Sequence, residues 1–63
     1  MSDEDERRRI RHDLRAPLTI ITGFAELLAS EKPIGETTRR EYAARIQAAA
    51  IELRTLLDEE LES

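Results

Sequence analysis

Apolar residues recur at intervals of three and four along two long stretches of the chain, which is the spacing of a helix that buries one side. In the first stretch, from about residue 5 to 30, the repeating positions are Ile10, Leu14, Leu18, Ile21, Ala25 and Leu28, widened by Ile20, Phe24 and Leu27. In the second, from about 38 to 61, they are Tyr42, Ile46, Ala49, Ala50, Leu53, Leu56 and Leu57, extended by Ala43 and Leu61. The pattern therefore predicts two amphipathic helices.

The segment between the predicted helices, residues 31–37, contains Pro33 and Gly35 and indicates a loop. Thr38 and Glu41 have the spacing of a capping box, in which the two residues satisfy each other's backbone amides. We therefore expect the second helix to begin at Thr38. Because the connection is short and the helices are of similar length, an antiparallel hairpin is favoured.

The predicted fold class is all-α, with an antiparallel two-helix hairpin that homodimerises into a four-helix bundle. Each apolar face is too broad for one hairpin to cover. The 63 residues are predicted to form a single domain, 1–63, which is too short to bury a large core alone. The absence of cysteine excludes disulfides and thiolate metal sites, so we expect an obligate homodimer.

The charge balance limits the partners and the location of the chain. Ten basic and fourteen acidic residues give a net charge of −4, which disfavours nucleic acid as a partner. The basic residues at 7–11 follow acidic ones at a spacing of four, which predicts ion pairs of Asp3 with Arg7, Glu4 with Arg8 and Asp5 with Arg9. With no apolar run long enough to cross a membrane, we expect a cytoplasmic domain, or the cytoplasmic part of a larger membrane-bound protein.

The only histidine, His12, is predicted to lie on the side of the first helix opposite its apolar stripe. An exposed imidazole followed by the carboxylate of Asp13 suits nucleophilic or acid–base chemistry near neutral pH. Pro17 falls one turn later, where an interior helix proline costs about 3 kcal/mol in propensity. It should bend the helix and free the Asp13 carbonyl. An inert surface histidine is the alternative interpretation, which this context makes less favourable.

Residues 12–19, His-Asp-Leu-Arg-Ala-Pro-Leu-Thr, and the following Ile-Ile-Thr-Gly-Phe-Ala-Glu-Leu-Leu resemble the H box of bacterial sensor histidine kinases. The similarity extends from about residue 6 to 61. In that family the region is the dimerisation and histidine phosphotransfer domain, which is a homodimeric four-helix bundle. The resemblance therefore implies the architecture that the apolar spacing predicts.

The resemblance implies a role for each matching position. His12 would accept the γ-phosphate of ATP on Nε2 and pass it to an aspartate of a response regulator receiver domain. Asp13 would hydrogen-bond or deprotonate the other ring nitrogen. Arg15 and Pro17 would give phosphate or conformational support. The regulator would dock on the exposed positions Thr19, Thr22, Gly23 and Glu26.

The chain departs from the family pattern at Ala16, where the family commonly has a threonine or asparagine that positions water for dephosphorylation. We expect weak or absent phosphatase activity. No nucleotide-binding motif follows residue 61, so no cofactor or metal site is predicted, and a separate ATP-binding catalytic domain, in cis or in trans, would bind ATP and Mg²⁺. We do not expect autophosphorylation by this chain alone. A free-standing phosphotransfer protein and a non-catalytic helical dimerisation module remain the alternatives.

Overall fold

A computed structural model describes residues 3–62 and contains two helices, α1 at Asp3–Ala29 and α2 at Glu36–Glu62. The rings of Phe24, late in α1, and Tyr42, early in α2, lie 5.1 Å apart between centroids. The helices are therefore antiparallel neighbours. The Cα atoms extend over 49 × 18 × 10 Å, so the molecule is about one helix long and two helices wide. No strand is present among the described residues, and the predicted all-α hairpin is confirmed.

Both helices differ slightly from the predicted limits, and the predicted cap of α2 is wrong. The amide of Arg39 donates to the carbonyl of Gly35 at 2.9 Å, which makes Gly35 the cap residue and places Thr38 within the first turn. Helix α2 can begin earlier than Thr38 because the Glu36 carboxylate accepts hydrogen bonds from the side chains of Arg39 and Arg40. A carboxylate in the first turn also interacts favourably with the helix dipole.

The connection at residues 30–35 is short and begins with a tight turn. The Ser30 amide donates to the Leu27 carbonyl at 3.3 Å, and the Lys32 amide donates to Ser30 Oγ at 3.2 Å. These bonds end α1 and start the reversal of the chain. No glycine has a positive φ, so Gly35 is not there to supply a left-handed conformation.

Side chains between the two helices are only partly buried. Within residues 3–61, Pro17 is fully buried and Ala49 is 3% exposed, and no other residue is classed as buried. Pro17 precedes Phe24 by seven residues, and Ala49 follows Tyr42 by seven. Because the rings of Phe24 and Tyr42 are neighbours and the helices are antiparallel, Pro17 and Ala49 lie at the same height along the hairpin axis. The half-buried residues of the contact are Ile10, Leu14, Ile21, Phe24 and Leu28 of α1 and Thr38, Tyr42, Ile46, Leu53 and Leu56 of α2.

The contact stripe of α1 is therefore rotated relative to the predicted one. Pro17 and Phe24 take the positions that the sequence pattern gave to Leu18 and Ala25, which are exposed. A small alanine opposite Pro17 explains the shift, because it lets the proline ring pack close to α2. The flanks keep large apolar side chains with exposures between 42% and 83%, namely Leu18, Ile20, Leu27, Ile51, Leu57 and Leu61.

One hairpin leaves an unusually large surface in contact with water. A folded monomer of 7.2 kDa exposes about 4100 Å² by the usual scaling with mass. The hairpin exposes 5451 Å², an excess of roughly 1300 Å² over that scaling. Two such excess areas sum to roughly 2600 Å², a size typical of obligate homodimer interfaces.

Candidate functional site

The His12 side chain projects into solvent from the middle of the first half of α1. Its exposed fraction is 87%, while Pro17 on the other side of the helix is buried against α2. The helical geometry expected from the sequence places it there, since residues five apart point to different sides of a helix. An imidazole in this position can meet a second protein without any movement of the fold.

Asp13 approaches one nitrogen of the His12 ring. The distance from Asp13 Oδ1 to His12 Nδ1 is 3.7 Å, with half of the Asp13 side chain exposed. This separation is longer than a hydrogen bond, which would form only after a side-chain rotation shortened the contact. The carboxylate lies on the Nδ1 side of the ring, and Nε2 is on the opposite side.

Pro17 lies within this segment without interrupting the helix. Helix α1 is continuous from Asp3 to Ala29 with Pro17 inside it. A proline has no amide hydrogen, so the carbonyl of Asp13, four residues earlier, lacks its usual intrahelical donor. Arg15 and Ala16, which lie between Asp13 and Pro17 in the sequence, are both exposed.

The four residues predicted to dock a regulator lie on one surface. Thr19, Thr22, Gly23 and Glu26 are exposed and line a shallow groove together with Leu18. A Cβ atom added at Gly23 would meet nothing within 4 Å, and its φ is not positive. Neither close packing nor backbone conformation therefore requires glycine there.

Two arginines beside His12 were not assigned a role from the sequence. Arg8 and Arg11 line one open depression together with His12 and Arg15. The predicted ion pairs of Asp3 with Arg7 and Glu4 with Arg8 are not among those recorded for residues 3–62. Arg8 and Arg11 precede His12 by four residues and by one residue. This spacing is the sequence signal that could have placed them at the site.

Comparison with known proteins identifies the family. Residues 8–63 match the family described as His Kinase A (phospho-acceptor) domain. The chain belongs to this family. This His Kinase A domain is 39% identical over 56 residues to the cell-division control histidine kinase PdhS of Brucella ovis, covering 86% of the chain and 5% of that protein. The corresponding protein of Brucella abortus gives the same values.

A shorter match to the same histidine kinase in Brucella canis is 53% identical over 36 residues, covering 54% of the chain and 4% of the relative. The His Kinase A domain thus spans about 5% of the length of the curated relatives it matches. No solved structure matches it. The resemblance of residues 12–28 to sensor histidine kinases is confirmed, and so is the phospho-acceptor class of the domain.

His Kinase A domains typically dimerise into helical bundles, which accounts for the apolar residues that this hairpin leaves exposed. Between residues 3 and 62, neither helix combines the length and hydropathy that crossing a membrane requires. Over the same range, no three histidine or acidic side chains are grouped so that they could hold a metal ion.

Proposed function

We propose that this chain is the dimerisation and phosphoacceptor domain of a two-component histidine kinase, and that His12 is the residue that is phosphorylated. The observation that carries the proposal is an imidazole that is 87% exposed, within a segment matching a phospho-acceptor family. A buried or sterically covered ring could not receive a phosphoryl group from a separate domain. Asp13, at 3.7 Å, is the acid–base partner of the ring.

The reaction begins with ATP and Mg²⁺ held by a separate catalytic domain. The lone pair of His12 Nε2 forms a bond to the γ-phosphorus, the bond from phosphorus to the bridging oxygen breaks, and ADP leaves with that electron pair. Asp13 then accepts or balances the proton on Nδ1, which keeps the ring from accumulating positive charge. In the second step an aspartate carboxylate of a receiver domain attacks the phosphorus and the P–N bond breaks.

The receiver domain docks, in this proposal, on the groove formed by Thr19, Thr22, Gly23 and Glu26, the exposed face that continues from His12 towards the loop. Small and polar side chains leave room for a partner to approach His12 along the helix. The groove lies about two to four turns from the imidazole, which is within the reach of a domain that contacts both.

Phosphorylation with radiolabelled ATP tests the proposal. The chain is incubated with ATP, Mg²⁺ and the purified ATP-binding domain of a histidine kinase, with His12→Gln as the matched control. We expect label that is stable to base and lost in acid, as a phosphorylated imidazole is, in the parent chain alone. Label that persists in His12→Gln contradicts the assignment of His12, and the absence of label from the parent favours a non-catalytic dimerisation module.

A further inference from the structure

Three arginine side chains surround His12 along its own side of α1. Arg8 lies four residues before it, Arg11 is its immediate neighbour and Arg15 follows by three, so each lies within about one helical turn of His12. The four side chains line a single open depression. All of them are exposed. A ligand that reaches the imidazole therefore meets guanidinium groups on both sides along the helix axis.

Within residues 3–62, none of the ion pairs in the structure involves the arginines of this cluster, Arg8, Arg11 and Arg15. Asp13 is the acidic residue recorded near the ring, and it approaches from the Nδ1 side. Asp58, near the level of Arg8 on α2, makes no recorded ion pair with it. The depression therefore attracts anions, although the chain as a whole is acidic.

Guanidinium groups suit one class of anion in particular. Arginine is charged at all relevant pH values and presents a planar set of donors that matches two oxygens of a phosphate at once. We propose that Arg8 and Arg11, with Arg15, form an anion-binding cluster that holds the phosphoryl group beside His12 as it arrives and after it is bound. This inference rests on the proposed phosphoacceptor role of His12. It adds two positioning residues to that site.

A small phosphoryl donor tests the cluster without any partner domain. With phosphoramidate, His12 Nε2 forms a bond to phosphorus, the P–N bond of the donor breaks, and ammonia leaves with the electron pair. The ring then loses its Nδ1 proton to solvent. The rate of phosphohistidine formation is followed by ³¹P NMR for the parent chain, Arg8→Gln, Arg11→Gln and the double variant. Circular dichroism checks that each variant keeps its helices.

Arg45→Gln is the matched control, since Arg45 is equally exposed but lies on α2 at the level of Ile21, well away from the His12 ring. We expect each single variant to react about threefold more slowly than the parent and the double variant about tenfold more slowly, as exposed charge contacts of ordinary strength would give. The rate should also become less sensitive to salt when the arginines are removed. Arg45→Gln should match the parent.

Two results would overturn the cluster in different ways. If the double variant reacts at the parental rate with the parental salt dependence, or loses no more than Arg45→Gln does, the arginines do not hold the phosphoryl group, while His12 remains the acceptor. If phosphoramidate gives no phosphohistidine in the parent, or if His12→Gln, which has no histidine, is phosphorylated at the same rate, the phosphoacceptor role fails and the cluster fails with it.

Discussion

His12 combines an exposed imidazole with a carboxylate on the next residue, and the distance between them decides what Asp13 can do. At 3.7 Å the two groups do not share a hydrogen bond. Catalytic contacts are often long in the absence of substrate and shorten when the reacting group is bound. The arrangement therefore leaves Nε2 open and keeps a proton acceptor within a short rotation of Nδ1.

Replacing Asp13 with asparagine should slow phosphorylation, because the side chain keeps its size but loses the negative charge that balances the ring proton. We expect the initial rate of label incorporation from ATP, supplied through an ATP-binding domain, to fall about 100-fold. Glu41→Gln removes a charge near the loop end of α2, away from His12, and should leave this rate unchanged. Equal rates for Asp13→Asn and the parent would remove Asp13 from the chemistry.

Ala16 follows His12 by one turn, is exposed and carries no group that could orient a water molecule. We therefore predict that the chain dephosphorylates a phosphorylated receiver domain slowly, and that Ala16→Thr accelerates the decay. The measurement is the loss of label from a phosphorylated receiver domain with each variant. Fast and equal decay with both chains would show that the residue at this position is not limiting.

At the scale of the helices, Gly23 lowers the helix propensity of α1, and the local structure of the hairpin does not require a glycine at this position. An added methyl group meets no atom within 4 Å, and alanine is favoured over glycine in a helix interior by about 1 kcal/mol. We predict that Gly23→Ala raises the melting temperature by about 4–8 °C, as expected for a domain of this size. Unchanged or reduced stability would show that Gly23 is in a tight contact outside the single hairpin.

Contacts with two arginines lower the pKa of Glu36 in the first turn of α2. The hydrogen bond from Arg39 lowers the pKa of Glu36 most strongly, and the charge of Arg39 and the hydrogen bond from Arg40 lower it further, against a smaller opposing effect of burial. Because the folded pKa lies below the ordinary value of 4.5, the unfolded chain binds the proton more readily. The stabilisation is complete above that value and disappears as the pH falls through the lowered pKa.

We predict that Glu36→Gln lowers the melting temperature above pH 4.5, and that its difference from the parent disappears on further acidification. Thermal unfolding of both chains across this range is the measurement. Glu41→Gln, on the same helix, is the control and should show no such convergence. A difference that stays constant with pH would mean that the Glu36 contacts with arginine do not stabilise the helix.

The apolar spacing was sufficient to predict both helices and the exposed side of His12, and the short connection between the helices predicted their antiparallel order. It did not predict the first residue of α2, because the capping-box pattern of Thr38 and Glu41 competes with a Glu36–arginine interaction that forms only once the first turn is helical. The sequence pattern predicted a bend at Pro17 but did not predict that its ring would be buried. That burial depends on a small residue, Ala49, in a distant part of the sequence.

The arginines beside His12 show a different limit of the sequence pattern. Acidic residues four positions before the basic run predicted ion pairs with it. Charged side chains on a helix surface, however, can pair with several neighbours at similar energies. Arg8 and Arg11 therefore line the depression at His12 and make none of the ion pairs recorded for the described residues. Only coordinates could distinguish these arrangements.

At the scale of the whole molecule, the single hairpin has too little interior to be a finished fold. Its two buried residues among those described form one narrow level of packing, and the surface exceeds that of an ordinary monomer by roughly 1300 Å². Pairing two hairpins through the exposed leucine and isoleucine flanks would cover this excess. The His12 side, which is polar, would stay outside the bundle and remain exposed.

Native mass spectrometry of the phosphorylated chain tests the central claim most directly, because one spectrum reports both assembly and modification. After treatment with ATP, Mg²⁺ and an ATP-binding domain, we predict a particle of two 7.2 kDa chains that carries phosphoryl groups, mapped to His12 by fragmentation at neutral pH. His12→Gln should give the same dimer without them. A folded single chain, or a phosphoryl group that remains in His12→Gln, would contradict the account.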